Sequence, residues 1–253
     1  MDDFIVLNRS GGVGIITLNR PNVGELWSGS VAKQLFLALN TIEFDDSIRS
    51  AVLTVEGRPD LQETFRDRHL VAEHKAMVHE EWNRLYETMC RSKKPRVAAI
   101  NCIAAGSAFQ VALLCDIRIA HARAMMGRQG WVSGVTGVDG AIVEQDQLTT
   151  VVANGHMFSD DLVPAETCFE LGLINQIVPE EDLMIEASML AQNLAGVSTA
   201  ATRLPKRLLW ELSSYGFRAR IELSKRLHQA AYRPSKPATV LKSFLETRTT
   251  RNI

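Results

Sequence analysis

Residues 96–127, RVAAINCIAAGSAFQVALLCDIRIAHARAMMG, carry no charged side chain between Arg96 and Asp116, yet Asn101, Gly106, Ser107 and Gln110 interrupt the apolar run. A membrane-spanning helix needs roughly 20 apolar residues, so length alone admits that reading. Asp116 and Arg118 close the tract, and lipid would penalise both. The whole chain is 46% hydrophobic and 23% charged with a net charge of −1, the profile of a soluble globular protein. A buried strand and a buried helix joined by a polar hinge account for the tract better. RVAAIN at 96–101 is short and apolar, suited to a strand covered on both faces. From Ser107 the positions Phe109, Val111, Ala112, Leu113, Leu114 and Cys115 suit a helix buried nearly all round, with Gly106 at the turn. Such a turn aims the unpaired N–H groups of a helix start at whatever lies beyond it.

Elsewhere strands alternate with helices. FIVLNRSGGVGIITLNR at 4–20 predicts two strands around a Gly-Gly turn. Residues 30–45 predict a helix capped by Ser30, 49–57 a strand and 77–92 a second helix leading into RVAAIN. Alternation of this kind implies an α/β fold with parallel strands joined by crossover helices. Beyond about residue 180 the strand signal ends and helical periodicity takes over. The expected organisation is an α/β core over 1–190 and a helical region over 191–253 that covers a site or mediates oligomer contacts.

Several function classes drop out. Cys90, Cys102, Cys115 and Cys168 show no CxxC spacing, so neither a metal site nor a disulfide framework is expected. Near-neutral charge argues against nucleic acid as a partner. The basic cluster RSKKPR at 91–96 and His121 are both expected to face solvent. The first residues, MDDFIVLNRS, lack a basic stretch followed by an apolar one, which makes a cytoplasmic location the default.

Five segments in order carry a likeness: GGVGIITLNRP (11–21), DDSIRSAVLTVEG (45–57), KKPRVAAIN with AAGSAFQVALLCDIRIA (93–120), ETCFELGLINQIVP (166–179) and FLETR (244–248). Together they resemble the crotonase, or enoyl-CoA hydratase/isomerase, superfamily. The resemblance implies a spiral of ββα turns, a homotrimer or dimer of trimers, and an oxyanion hole of two backbone N–H groups that stabilises an enolate. It implies no cofactor, coenzyme A entering only as part of a thioester substrate. Ser107 falls at one oxyanion donor, in a GSA turn where the family favours glycines, and the other donor falls near Thr64 in a divergent loop. The two glutamates of the family's hydratases correspond to Gln110 and Gly130. An amide does not titrate and glycine has no side chain, so conventional hydration is not expected. Gln110 is left to orient water or substrate, or to be buried and satisfied.

Asp139, between glycines in SGVTGVDGA, resembles the carboxylate of the branch that cleaves β-diketones by a retro-Claisen reaction, typified by 6-oxocamphor hydrolase. HEEWNRLYET at 79–88 is also similar to that branch, whereas its usual histidine nine residues before the aspartate is replaced by Gly130. Asp139 has the plainer alternative of bonding its own loop. Trp131 is placed to line an acyl pocket or to fill space under the loop, while Phe244 and Arg248 fall where the family's last helix meets the adenine end of coenzyme A. Arg20 and Arg58 are candidate phosphate partners or ordinary surface groups. The expected activity is carbon–carbon hydrolysis of a β-diketone or β-ketoacyl compound. The alternatives are an enoyl-CoA isomerase or hydratase-type enzyme, a non-catalytic acyl-CoA-binding protein, and a structural subunit of an active relative.

Overall fold

A computed structural model describes residues 4–19, 29–56, 75–127, 161–198, 201–206 and 208. Strands β1 (Ile5–Ser10) and β2 (Val13–Leu18) form the expected hairpin. Gly11 and Gly12 make its turn with φ of 57° and 81°, a region where a side chain would be strained. Helix α1 (Gly29–Phe44) leads to β3 (Ser50–Val55), and α2 (Lys75–Arg91) leads to β4 (Arg96–Ile100). Next come β5 (Ile103–Ala105), α3 (Ser107–Leu113), β6 (Ile117–His121) and β7 (Met125–Gly127). Beyond residue 160 follow β8 (Val163–Pro164), α4 (Ala165–Glu170), β9 (Gln176–Val178) and α5 (Leu183–Gly196).

The main sheet has the order β1-β2-β3-β4-β6-β9, antiparallel at β1/β2 and parallel from β2 onward. Its central strands are covered on both faces, which is why SAVLTV and RVAAI show no polar alternation. One face buries Ala51, Leu53, Ala98 and Ile100 against α1, α2 and α3. The other buries Val52, Val97 and Ile119 under Leu183, Ala187, Ala191 and Ala195 of α5. Alanines four residues apart let that helix sit close to the sheet, and the Ser50 hydroxyl donates to the Ala191 carbonyl at 2.6 Å.

Three strands build a second sheet in the order β5-β7-β8. Its presence corrects the expectation that one strand passes through one turn into the buried helix. The chain leaves β4, changes sheets at Asn101 and Cys102, runs through β5 and only then turns at Gly106. The Asn101 amide marks the change by donating to the Val55 carbonyl at 2.6 Å, joining the ends of β3 and β4. Helix α3 is also shorter than expected, ending at Leu113.

Burial of cations supplies the second correction. Lys94 and Arg96, expected in solvent, are 3% and 2% exposed, and Arg118 is 6% exposed. Each serves the carbonyl end of a different helix, where backbone acceptors lack partners of their own. The Lys94 ammonium donates to the carbonyls of Ile42 (2.6 Å) and Asp45 (2.7 Å) at the end of α1. Arg96 donates to Met89 near the end of α2 and to Leu114. Arg118 donates to Ala112, Leu113 and Cys115 around the end of α3. His121, also expected outside, is 5% exposed at the end of β6, where its Nδ1 accepts the Arg123 N–H at 3.1 Å.

Lys206 completes this layer, donating to the Lys94 carbonyl (2.8 Å) and the Asp116 carboxylate (2.6 Å). Burial, reinforced by the nearby Arg96 charge, pushes its ammonium down to about 8. The unfolded chain therefore holds a proton that the folded chain has shed between about 8 and the ordinary lysine value of roughly 10.4. Stability contributed by this residue rises with pH across that window. Urea unfolding of wild type and Lys206→Met at about pH 7.5 and about pH 10 isolates the effect. The wild type is expected to gain stability relative to the variant at the higher pH, and a constant difference would refute the assignment.

Candidate functional site

Gly106 adopts φ 57° and ψ −121°, a conformation that favours glycine, and its N–H donates to the Gly127 carbonyl of β7 at 3.1 Å. Its carbonyl accepts the Gln110 N–H at 3.2 Å, so the first bond of α3 closes over the turn. Among the described residues no acceptor meets the N–H groups of Ser107 or Ala108. Both residues are half-buried. Free backbone donors held in this way can receive an oxygen that gains negative charge, with no reorganisation at the moment of reaction.

Beside the turn lies an apolar cleft of about 60 Å³ at the C-terminal ends of the parallel strands. Leu53 and Val55 of β3, Ala98 and Ile100 of β4, and Ala108 and Val111 of α3 form its walls. Small side chains along β4 and α3 leave the space open. Ligands of parallel α/β sheets commonly bind outside these strand ends. Among the described residues the cleft holds no carboxylate or histidine, and the Cys102 thiol at its edge is pushed up to about 12 by burial. A thiol so disposed stays protonated at neutral pH and supplies no nucleophile.

The structure thus sets Gly106 and Ser107 between Ala104 and Ala108, two residues of the cleft wall, whereas Gln110 is not among the described residues that line it. Gln110, one turn further on, is 7% exposed and faces away from bulk solvent. Among the described residues no hydrogen bond engages its side-chain amide. The candidates Thr64, Asp139, Trp131, Phe244 and Arg248 lie outside the described residues, as do Arg20, Arg58 and Gly130. Sequence reasoning did not anticipate Gly127, which the turn uses as its acceptor. The only sequence signal was a glycine closing the MMG strand.

Gly127 is also required by space. A Cβ there would stand 2.6 Å from the Asp161 carbonyl oxygen and 3.1 Å from a Leu162 methyl. Backbone oxygen cannot rotate aside as a side chain can, so β7 or the Asp161 segment must move. Gly127→Ala is expected to lower stability by about 1–3 kcal/mol, the usual cost of overpacking. Because the Gly127 carbonyl anchors Gly106, a shift of β7 should lower turnover as well. Thermal unfolding and kcat on any confirmed substrate check both, and a variant as stable as wild type would remove the steric argument.

A parallel sheet whose strand ends and glycine turn frame an apolar cleft is the architecture of the crotonase fold. A solved enoyl-CoA hydratase/isomerase from Mycobacterium paratuberculosis shares it with a TM-score of 0.80, covering 98% of this chain and 99% of that one at 22% identity. Residues 8–251 match the enoyl-CoA hydratase/isomerase family, and the chain belongs to that family. Among its curated relatives, a short-chain-enoyl-CoA hydratase from Clostridium acetobutylicum is 25% identical over 81% of this chain and 80% of its own length. A putative enoyl-CoA hydratase from Thermus thermophilus is 29% identical over 82% of this chain and 84% of its own.

Proposed function

We propose that this protein is an acyl-CoA enzyme of enolate chemistry that cleaves a carbon–carbon bond in a β-ketoacyl thioester or a related β-diketone. The observation that carries the reading is the Ser107 N–H, which meets no acceptor among the described residues and lies next to Ala108 of the apolar cleft, while position 110 of the same helix holds an amide in place of a carboxylate. The donor needed for an enolate is retained, while the carboxylate needed at that position for two-acid hydration is absent. Family membership and the hydratase relatives support a thioester as the substrate class.

In the proposed reaction Asp139 removes a proton from water as it attacks the ketone carbonyl. The bond between that carbonyl carbon and the α-carbon then breaks, and its electron pair passes into an enolate whose oxygen is held by the Ser107 N–H. Protonation of the α-carbon releases two products, a carboxylic acid and a shortened acyl compound, with water consumed. Gln110 orients the water or the substrate carbonyl. The working assembly is a homotrimer or a dimer of trimers.

Purified protein is to be screened against β-diketones, β-ketoacyl-CoA and enoyl-CoA thioesters, with products identified by mass spectrometry. Cleavage with uptake of water is the expected result, together with loss of turnover in Asp139→Asn while the fold is kept. Enoyl-CoA isomerisation without cleavage would overturn the retro-Claisen reading and keep the enolate. Saturable thioester binding without turnover on any panel would overturn both and leave a binding protein.

A further inference from the structure

At the other end of the sheet a second cavity, of about 240 Å³, opens between the corners that precede β3 and β4 and the helical segment 201–206. We propose that it is a binding site for a small phosphate-class anion, separate from the apolar cleft. The two lie at opposite ends of β3, about 17 Å apart at roughly 3.3 Å of rise per residue. Among the described residues its polar lining is Asp46, Arg49, Lys93, Lys94, Thr202 and Arg203, four cations against one carboxylate.

Glu43 and Asp45, the acids behind Lys94, reduce this excess by acting on Lys94 but stay outside the lining, their oxygens turned to other donors. Glu43 accepts from the Ser92 hydroxyl at 2.8 Å and from the Lys93 N–H. Asp45 accepts from Ser47 and pairs with Arg9 at 2.7 Å. Among the described residues no carboxylate pairs with Arg49, Lys93 or Arg203. The Nε of Arg203 is buried with no hydrogen-bond partner among those residues. Lys94 has two of its three N–H groups on carbonyls, leaving one for a guest.

Chemistry and size select the guest. Two guanidinium groups and two ammonium groups around one space match the charge and the several oxygens of a phosphate, to which arginine bonds in bidentate fashion. The volume is below the roughly 300 Å³ at which ordinary small-molecule pockets begin. Orthophosphate or pyrophosphate fits this description better than a coenzyme. An occupant would tie the segment carrying Arg203 to both strand corners, beside the tether that Lys206 already makes to Asp116.

Calorimetric titration of the full chain with inorganic phosphate and with pyrophosphate, at ionic strength held constant by chloride, tests the site. Saturable binding and a saturable rise in Tm are expected for at least one of the two anions. The tighter of them identifies the guest. Arg203→Gln and Arg49→Gln should each weaken binding at least about ten-fold. Arg49 is exposed, so its variant remains folded if Arg203→Gln does not. Binding should persist in saturating coenzyme A. Heat that merely tracks ionic strength, equal affinity in wild type and both variants, or displacement by coenzyme A would each overturn the proposal.

Discussion

Replacing Arg118 with methionine is expected to lower stability by about 4 kcal/mol, among the largest effects a single change has in a domain of this kind. The side chain is nearly enclosed and its Nε donates to the Leu173 carbonyl, while one terminal nitrogen serves Cys115 at 2.7 Å and Leu113 at 3.2 Å. Its backbone N–H meets the Asn175 side-chain oxygen at 2.8 Å. One guanidinium therefore joins the end of α3, strand β6 and the segment leading into β9. Methionine keeps much of the volume and the apolar stem, so the loss reports on the donors rather than on a cavity. Lysine should restore only part, since a point charge cannot reach separated carbonyls in the planar fork of arginine. Urea unfolding monitored by circular dichroism checks the series. A methionine variant within about 1 kcal/mol of wild type would mean that these carbonyls find water or other donors without Arg118.

The sequence concealed this role for a physical reason. Arg118, like Lys94 and Arg96, sits next to residues whose apolar character predicts burial, but charge argues for solvent unless partners are known. Those partners are backbone carbonyls of three different helices, and carbonyls leave no trace in residue type. Periodicity, by contrast, exposed the hairpin at Gly11 and Gly12, helices α1 and α2, and strands β3 and β4 within a residue or two of their ends. The second sheet was illegible because its strands are three, three and two residues long, too short for any alternation to repeat. His121 was misjudged because it ends a short strand, where burial depends on what the neighbouring loops cover.

At the candidate site, legibility followed the backbone. Gly106 and Ser107 stood out because a glycine between an apolar strand and an apolar helix demands a turn, and the turn proved to have the positive φ that glycine permits. Gly127 did not stand out, since its contributions are a carbonyl and a missing Cβ. The amide at position 110 was as informative as any residue present, because its chemistry excludes proton transfer wherever the fold places it. Asp139 rests on resemblance and spacing, and Ser107 is the member of the proposed machinery that the geometry reaches.

Ser107→Pro is accordingly the sharpest test of that machinery, and it should reduce kcat about 100-fold or more, the typical effect of losing one oxyanion donor. Proline deletes the N–H and changes little else in the helix, because Ser107 is the first residue of α3 and that N–H closes no helical bond. The residue before it is Gly106, which has no Cβ for the proline ring to strike. Ser107→Ala removes the hydroxyl and keeps the N–H. If the backbone does the work, alanine should retain most of the turnover, and the affinity for substrate should change less than kcat in either variant, since the donor acts on charge that develops during the reaction. Circular dichroism and thermal unfolding establish that both proteins are folded before rates are compared. Equal losses in the two variants would assign the effect to the hydroxyl, and an active proline variant would move the oxyanion to other donors, with the Ala108 N–H, which meets no acceptor among the described residues, the first to examine.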